Sequence, residues 1–515
     1  MVLGVTSVLI KSSAKPGNKR YNSDMSDRIA SSPFFQRLFD IFVPVMSWFL
    51  ILLPVFLSPV HPAGVAYFIL SFDVYFFYKS ITTVYHSVLS YKTIQFNQTI
   101  SYKQKVMRKD AESIQHFVII PNYKELLHKL QDTVLKITQS DYPHKTLHLV
   151  LAFEDREEEA HEKDKKLRNE FSHYFQNIIT TWHTLQPHEV AGKASNQTHA
   201  AIIVDQYVKE HNFKPEKVLI TIADADSLFP KNYFSYLTCE YLKDTDRLYH
   251  FYWAPVLLYN NFWQLPFFVR MQATLSSILR LAFLSKKKNL IQISTYSTSL
   301  WLLKQINFWD VDIIPEDWHV YFQAFFKFGE KVKTIPLYTI VGGDAVYSGK
   351  FFKTFTNRYE QEKRWAWGVS DIGYAFQQSF ASTHLPVLPK IKKLIFLIEN
   401  HLLWPVSFFI LTISAFIPPL INPVFKRTVL GFLLPQISSL ILTLSTSFLL
   451  VYSYLDIKLR GKFSQKTNPI IIPFLIIQWY LLPVVTFVLS SIPALDAHTR
   501  IIFGKKLKYK VTEKI

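Results

Sequence analysis

Cysteine is almost missing from this chain: Cys239 is the one cysteine in 515 residues. That excludes an intramolecular disulfide and a cysteine metal cluster, and it fits a reducing compartment. Cys239 itself reads as a small buried apolar side chain, because no partner motif for a nucleophile accompanies it. Paired histidine spacing is missing too, so His148 and His199 read as structural or surface residues rather than metal ligands. No internal repeat or low-complexity segment is present. A cleavable signal peptide is not expected. The first 40 residues are polar and basic, and the first apolar run is too long and too deep in the chain. Nor does a nucleic-acid recognition motif accompany the basic residues, which are spread along the chain, so nucleic acid is not an expected partner.

What is present is length, apolar runs and positive charge. A chain of 515 residues exceeds one compact core and implies two or more folding units. Apolar residues make up 49%, and the net charge is +18. Basic residues collect on the cytoplasmic side of membrane proteins, which accounts for the excess. A phosphate-bearing substrate or anionic lipid heads can share it.

The apolar runs divide the chain. Residues 1–38 carry Lys11, Lys15, Lys19, Arg20 and Arg28 among Ser and Asn and read as a disordered basic tail. Residues 39–90 hold two spans, Ile41 to Val60 and Val65 to about Leu89, joined by the turn His61-Pro62-Ala63-Gly64. In the second span Lys79 can snorkel to the interface, and Asp73 is expected to face a protein neighbour. Residues 391–496 hold three more runs, Leu402 to Phe425, Thr428 to Leu455 and Thr467 to Leu495, and residues 497–515 are a basic tail. Lys458, Arg460, Lys462 and Lys466 mark a cytoplasmic loop. Five spans place the C-terminal tail outside, whereas Arg500, Lys505, Lys506, Lys508, Lys510 and Lys514 argue for inside. One re-entrant or split span reconciles the two.

Residues 91–390 are soluble in composition. The short apolar runs His116–Pro121, Leu147–Phe153, Val218–Ala223, Leu248–Leu257 and Ile291–Leu303 alternate with amphipathic stretches such as Glu125–Thr138 and Glu157–Phe175. This alternation predicts an α/β domain with a mainly parallel sheet covered on both faces. Ligands of such sheets bind at the carboxyl ends of the strands.

Three short motifs carry chemistry. Val218 to Ile222 runs straight into Asp224-Ala225-Asp226, two carboxylates that can approach one site. Hard oxygen ligands suit Mg²⁺ or Mn²⁺, which bridge substrate phosphates; a solvated loop is the plain alternative. Glu316-Asp317 follows an apolar stretch. It reads either as a helix N-terminus favoured by the dipole or as a general base. Gln361, Arg364 and Trp365 share one helix face, where an amide, a guanidinium and an indole can hold a diphosphate and stack on a sugar. An interfacial helix beside the membrane is compatible with that role. Trp263, Trp309 and Trp367 read either as lining for a sugar path or as interface anchors.

In this order, flanked by spans, the motifs resemble those of the processive membrane synthases of glycosyltransferase family 2, the cellulose, chitin and hyaluronan synthase-like proteins. Their pattern is D, DxD, ED and QxxRW on a GT-A fold. His116 to Glu125 resembles the family's strand-PxYNE start, with Lys124 where Asn is usual. Glu154-Asp155 resembles the acidic site for the nucleoside base, and Gly192-Lys193-Ala194-Ser195-Asn196 resembles GKxxN. The resemblance covers roughly residues 115–370. It implies that Pro121, Glu154 and Lys193 contact the nucleotide, that Glu125 binds substrate, that Asp224 touches the diphosphate or donor sugar, and that Asp226 binds the divalent cation. It further implies Asp317 as base with Glu316 beside it, and Gln361, Arg364 and Trp365 at the diphosphate and acceptor end. Tyr509 to Lys514 more loosely resembles the family's FxVTxK gating segment.

The expected enzyme is an integral, multi-pass glycosyltransferase of the plasma or inner membrane with its catalytic domain in the cytoplasm. It moves a sugar from a nucleotide-diphosphate donor to a hydroxyl of a glycan or lipid-linked acceptor, elongating a polysaccharide. Single transfer to a polyprenyl phosphate or glycolipid is the enzymatic alternative. A transporter or scaffold is the non-enzymatic one, disfavoured by the small span number and the acidic-motif domain.

Overall fold

The computed structural model describes residues 32–107, 113–461 and 472–507. Most of the N-terminal tail, Lys462 and Lys466 of the basic loop, and the Tyr509–Lys514 segment lie outside the described residues. Two helices, α1 (Pro33–Leu57) and α2 (Pro62–Asn97), open the described chain. Helix α1 starts six residues inside the stretch expected to be a disordered tail, with Pro33 at its first turn, where a missing N–H costs nothing.

The domain that follows is built on β1 (Gln115–Pro121), β2 (Leu147–Glu154), β3 (Asn177–His183), β4 (Val218–Ile222), β5 (His250–Trp253), β7 (Tyr296–Ser299) and β8 (Lys333–Pro336). They form one sheet in the order β3-β2-β1-β4-β7-β5-β8. Strand β7 runs antiparallel to both neighbours, and the other pairings are parallel. Two short strands, β6 (Val256–Leu257) and β9 (Val341–Gly342), pair separately. Side chains alternate along a strand, so Phe117 and Ile119 of β1 enter the core on one face and Val118 and Ile120 the core on the other. Unbroken apolar strands are what two covered faces require.

The covering helices are α3 (Leu127–Thr138), α4 (Ala160–Phe171), α5 (Lys193–Glu210), α6 (Tyr233–Lys243), α7 (Phe267–Leu284) and α8 (Glu316–Phe328). Apolar residues of α3, α4 and α6 pack on one face, and those of α5, α7 and α8 on the other. Three expectations need correction. Ile291–Leu303 is not one strand, because only Tyr296–Ser299 is extended and a helix starts at Leu300, capped by the Ser299 hydroxyl. Leu248–Leu257 is split between β5 and β6. Strands β3 and β8 were not expected; both are sheet edges with mixed polar composition.

The C-terminal part continues with α9 (Phe351–Ala366), α10 (Ser370–Ala381), α11 (Val387–Thr412), α12 (Val429–Ser447), α13 (Leu449–Arg460) and α14 (Ile492–Ile502). Among the described residues, five helices are long and apolar enough to cross a membrane: Pro33–Leu57, Phe267–Leu284, Val387–Thr412, Val429–Arg460 and Gln478–Ile502. The count equals the expected five, but the members differ. Helix α2 is not among them. It is long and mixed in character, and it packs on both α7 and α12. Its Asp73 is buried and bonded to Ser438, the protein neighbour expected for it, and Lys79 pairs with Glu399. Helix α7 is apolar because it is buried in protein, 67% of its apolar window being covered. The expected span Leu402–Phe425 is broken after Thr412, where Pro418-Pro419 and Asn422-Pro423 permit only short helical turns.

Candidate active site

The carboxyl ends of the strands gather most of the motif residues. Strand β4 delivers Asp224, and helix α8 delivers Glu316 and Asp317 in its first turn. Lys193 opens α5 and reaches between them. Its Nζ lies 2.8 Å from Asp224 Oδ1 and 3.2 Å from Glu316 Oε1, and it donates to the Ser294 carbonyl at 2.9 Å. The expected nucleotide lysine is therefore held by the carboxylates. Burial alone would lower its pKa; the two carboxylates outweigh that and hold its pKa above the ordinary lysine value.

Ser294 is a residue that sequence reasoning missed. It adopts φ 70°, a left-handed conformation uncommon for a residue with a Cβ. That backbone turn lets it serve three partners. Its N–H donates to Asp317 Oδ2 at 2.9 Å, its hydroxyl donates to Asp224 Oδ2, and its carbonyl accepts from Lys193. The other Asp317 oxygen, Oδ1, accepts from the Trp318 N–H at 3.0 Å. Gln292 anchors the same turn by donating to the Asp317 carbonyl at 2.9 Å. Burial pushes the Asp317 carboxyl above the usual carboxylate range, against the pull of the Ser294 amide and Lys193. Glu316 is raised as well, first by burial, with Lys193 opposing and Asp317 reinforcing.

Asp226 is buried, and its Oδ2 accepts from the Asp344 N–H at 2.6 Å. Asp344 in turn pairs with Lys129 at 2.6 Å. Among the described residues no group of three or more His, Cys, Asp or Glu side chains is placed to hold a metal ion. Asp224 and Asp226 are the carboxylates present just past the end of β4, and Mg²⁺ sites of one or two carboxylates take their other ligands from substrate phosphates and water.

The nucleotide-side candidates lie together at the ends of β1 and β2. Pro121 closes β1, and Glu154 closes β2, buried and paired with Arg156. The Arg156 guanidinium stands 4.0 Å over the Tyr123 ring. The Glu125 carbonyl accepts from Lys163. Asn196 ties this end to α5 by donating to the Ala152 carbonyl at 2.9 Å.

Gln361 and Trp365 sit on α9, which packs on α14. The Gln361 oxygen accepts from Arg358, a fully buried guanidinium that also binds Glu362 and donates to Gln272 at 2.9 Å. Trp365 lies between two guanidiniums, Arg358 at 4.8 Å and Arg280 at 5.6 Å from its centroid. Arg280 is within electrostatic range of Asp224 and Asp317 and so connects this cluster to the carboxylates. Arg364 is half-buried on the same helix. Trp309 is a core residue, bonded to the Tyr296 hydroxyl at 2.6 Å.

A mainly parallel sheet with carboxylates collected at its strand ends, and a loop-held lysine among them, defines a GT-A type sugar-transferring enzyme. The chain belongs to the family described as glycosyl transferase family group 2, whose model matches residues 219–489, more than half of the chain, and it is a glycosyltransferase. No curated protein matches it. Among solved structures it is similar to the mannosyltransferase PcManGT from Pyrobaculum calidifontis in complex with GDP-Man and Mn²⁺. That match has 14% identity over 73% of this chain and 96% of that one, with a TM-score of 0.38. It is also similar to S. aureus TarS 1-349, with 9% identity, 76% and 92% coverage and a TM-score of 0.34.

Proposed function

We propose that this glycosyltransferase is membrane-bound and inverting, that it uses a nucleotide-diphosphate sugar, and that its catalytic domain faces the cytoplasm. The observation that carries the reading is the meeting of Asp224, Glu316 and Asp317 around Lys193 and Ser294 at the strand ends. Asp317 is the base. Two backbone N–H groups fix its carboxylate, and burial makes it a better proton acceptor than an exposed aspartate. It takes the proton of the acceptor hydroxyl as that oxygen bonds the anomeric carbon. The bond from that carbon to the diphosphate breaks on the opposite face, and the electron pair leaves with the nucleotide diphosphate. Lys193 and Asp224 orient the donor at the reacting carbon, and Glu316 keeps Lys193 in place. Asp226 would hold a divalent cation, Mg²⁺ or Mn²⁺, which when bound neutralises charge on the leaving diphosphate.

We further propose polysaccharide elongation, with Gln361, Arg364 and Trp365 at the acceptor end. The support is the position of α9 against α14 and the Arg280 link from Trp365 toward the carboxylates. The test uses full-length protein in detergent with Mn²⁺ and a panel of nucleotide sugars, read as nucleotide release, followed by product sizing on a gel. Release with one donor and a ladder of products is expected. A single-sugar lipid product overturns elongation, and no release from any donor overturns the donor class.

A further inference from the structure

A cavity of about 590 Å³ opens on the side of the domain where the end of α2, helix α6 and strand β8 meet. Its volume lies within the range of small-molecule sites, about 300–1,000 Å³. Phe96, Tyr102 and Tyr236 contribute apolar walls, and among the described residues Lys105, Lys243, Lys287 and Lys333 contribute positive charge and Glu240 a carboxylate. Lys243 satisfies Glu240 at 2.7 Å. Lys105 stands over the Tyr102 ring, and among the described residues Lys287 and Lys333 have no ion-pair partner. Among the described residues three positive charges thus converge on one concavity without an ion-pair partner, which favours an anion.

We infer that this cavity binds a phosphate-bearing anion, free or on a lipid head, and that its occupancy is communicated to the proposed base. Thr93, Phe96 and Asn97, which line the cavity, belong to the last turns of α2. The communication is a pair of hydrogen bonds. Thr334 lines the cavity beside Lys333, and its hydroxyl donates to Gln292 Oε1 at 2.9 Å. Gln292 Nε2 donates to the Asp317 carbonyl at 2.9 Å. A ligand that draws Lys333 inward moves the edge strand that carries Thr334, and with it the turn that holds Asp317.

The experiment uses full-length protein in detergent with EDTA, so that no cation supports phosphate at the donor site, and tripolyphosphate as the probe. Calorimetry is expected to show binding that weakens by about tenfold or more in Lys287→Glu/Lys333→Glu and is largely kept in Lys287→Arg/Lys333→Arg. Tripolyphosphate is expected to alter amide exchange over residues 314–318 in the wild type. In Thr334→Val it should bind equally and leave that exchange unchanged. Equal affinity in the wild type and the Glu pair, or no binding of either tripolyphosphate or phosphoinositide nanodiscs, overturns the site. Unchanged exchange in the wild type overturns the communication. Binding seen with tripolyphosphate assigns a free anion, and binding seen only with nanodiscs containing phosphoinositide assigns the same phosphate chemistry to a lipid head.

Discussion

Ser294 holds a left-handed backbone at φ 70° and spends its amide, hydroxyl and carbonyl on Asp317, Asp224 and Lys193. Such strain persists where the surroundings over-determine it, commonly at functional sites. Ser294→Ala removes only the hydroxyl bond to Asp224. Hydrogen bonds to charged groups contribute about 1.5–3 kcal/mol, so transfer should fall by about 10–100-fold with the fold intact by circular dichroism. Lys193 gives a pH prediction. Burial raises Asp317 and Glu316, and Lys193 opposes that rise. In the proposed mechanism Asp317 works deprotonated, so activity is expected to fall as pH drops through its raised pKa. Lys193→Met removes the opposing charge, and the acidic limb of the kcat/KM profile should move to higher pH. A limb that stays in place, or moves down, contradicts the placement of Lys193. Asp224, Glu316 and Asp317, which meet around Lys193 at the strand ends, were singled out by motif order. Ser294, Gln292 and Arg280 were not, because each acquires its role only when the sheet brings distant segments together.

At the scale of elements, His319 joins α8 to α10. Its Nδ1 lies 2.8 Å from Asp371 and its Nε2 2.8 Å from Asp310. Burial opposes its charge, but the two carboxylates win and raise its pKa to about 9. A raised folded-state pKa contributes stability that is complete below the unfolded value, about 6.5, and is lost as pH rises through about 9. Thermal unfolding followed from pH 6.5 to 9.5 should show this loss, and His319→Gln should flatten it. Helix α9 carries a second prediction. Arg358→Met leaves Glu362 buried without its ion pair, which costs about 3–5 kcal/mol, and Arg358→Met/Glu362→Met should recover much of it. Legibility at this scale followed burial. Strands β1, β2 and β4 stood out because both faces are covered. The edge strands β3 and β8 did not, since their half-polar composition lacks that signal. Helix α7 looked like ordinary domain sequence although it is apolar enough for lipid; only its packing against α2 and β6 shows where its surface goes.

The whole molecule couples a covered sheet to apolar helices through α9 and α14, where Lys363 lies 3.2 Å from Asp496. Exposed side chains along α1, among them Phe34, Phe42, Phe49 and Phe56, present a surface suited to lipid. The protein is therefore expected to stay with membranes through an alkaline carbonate wash and to need detergent for release. The central claim concerns Asp317, and it is tested most directly by comparing wild type with Asp317→Asn in full-length protein. Sugar transfer and donor binding are measured on the same preparation. The account predicts a loss of transfer of about 10²–10⁴-fold with donor affinity largely kept. Transfer at the wild-type rate in Asp317→Asn would contradict it.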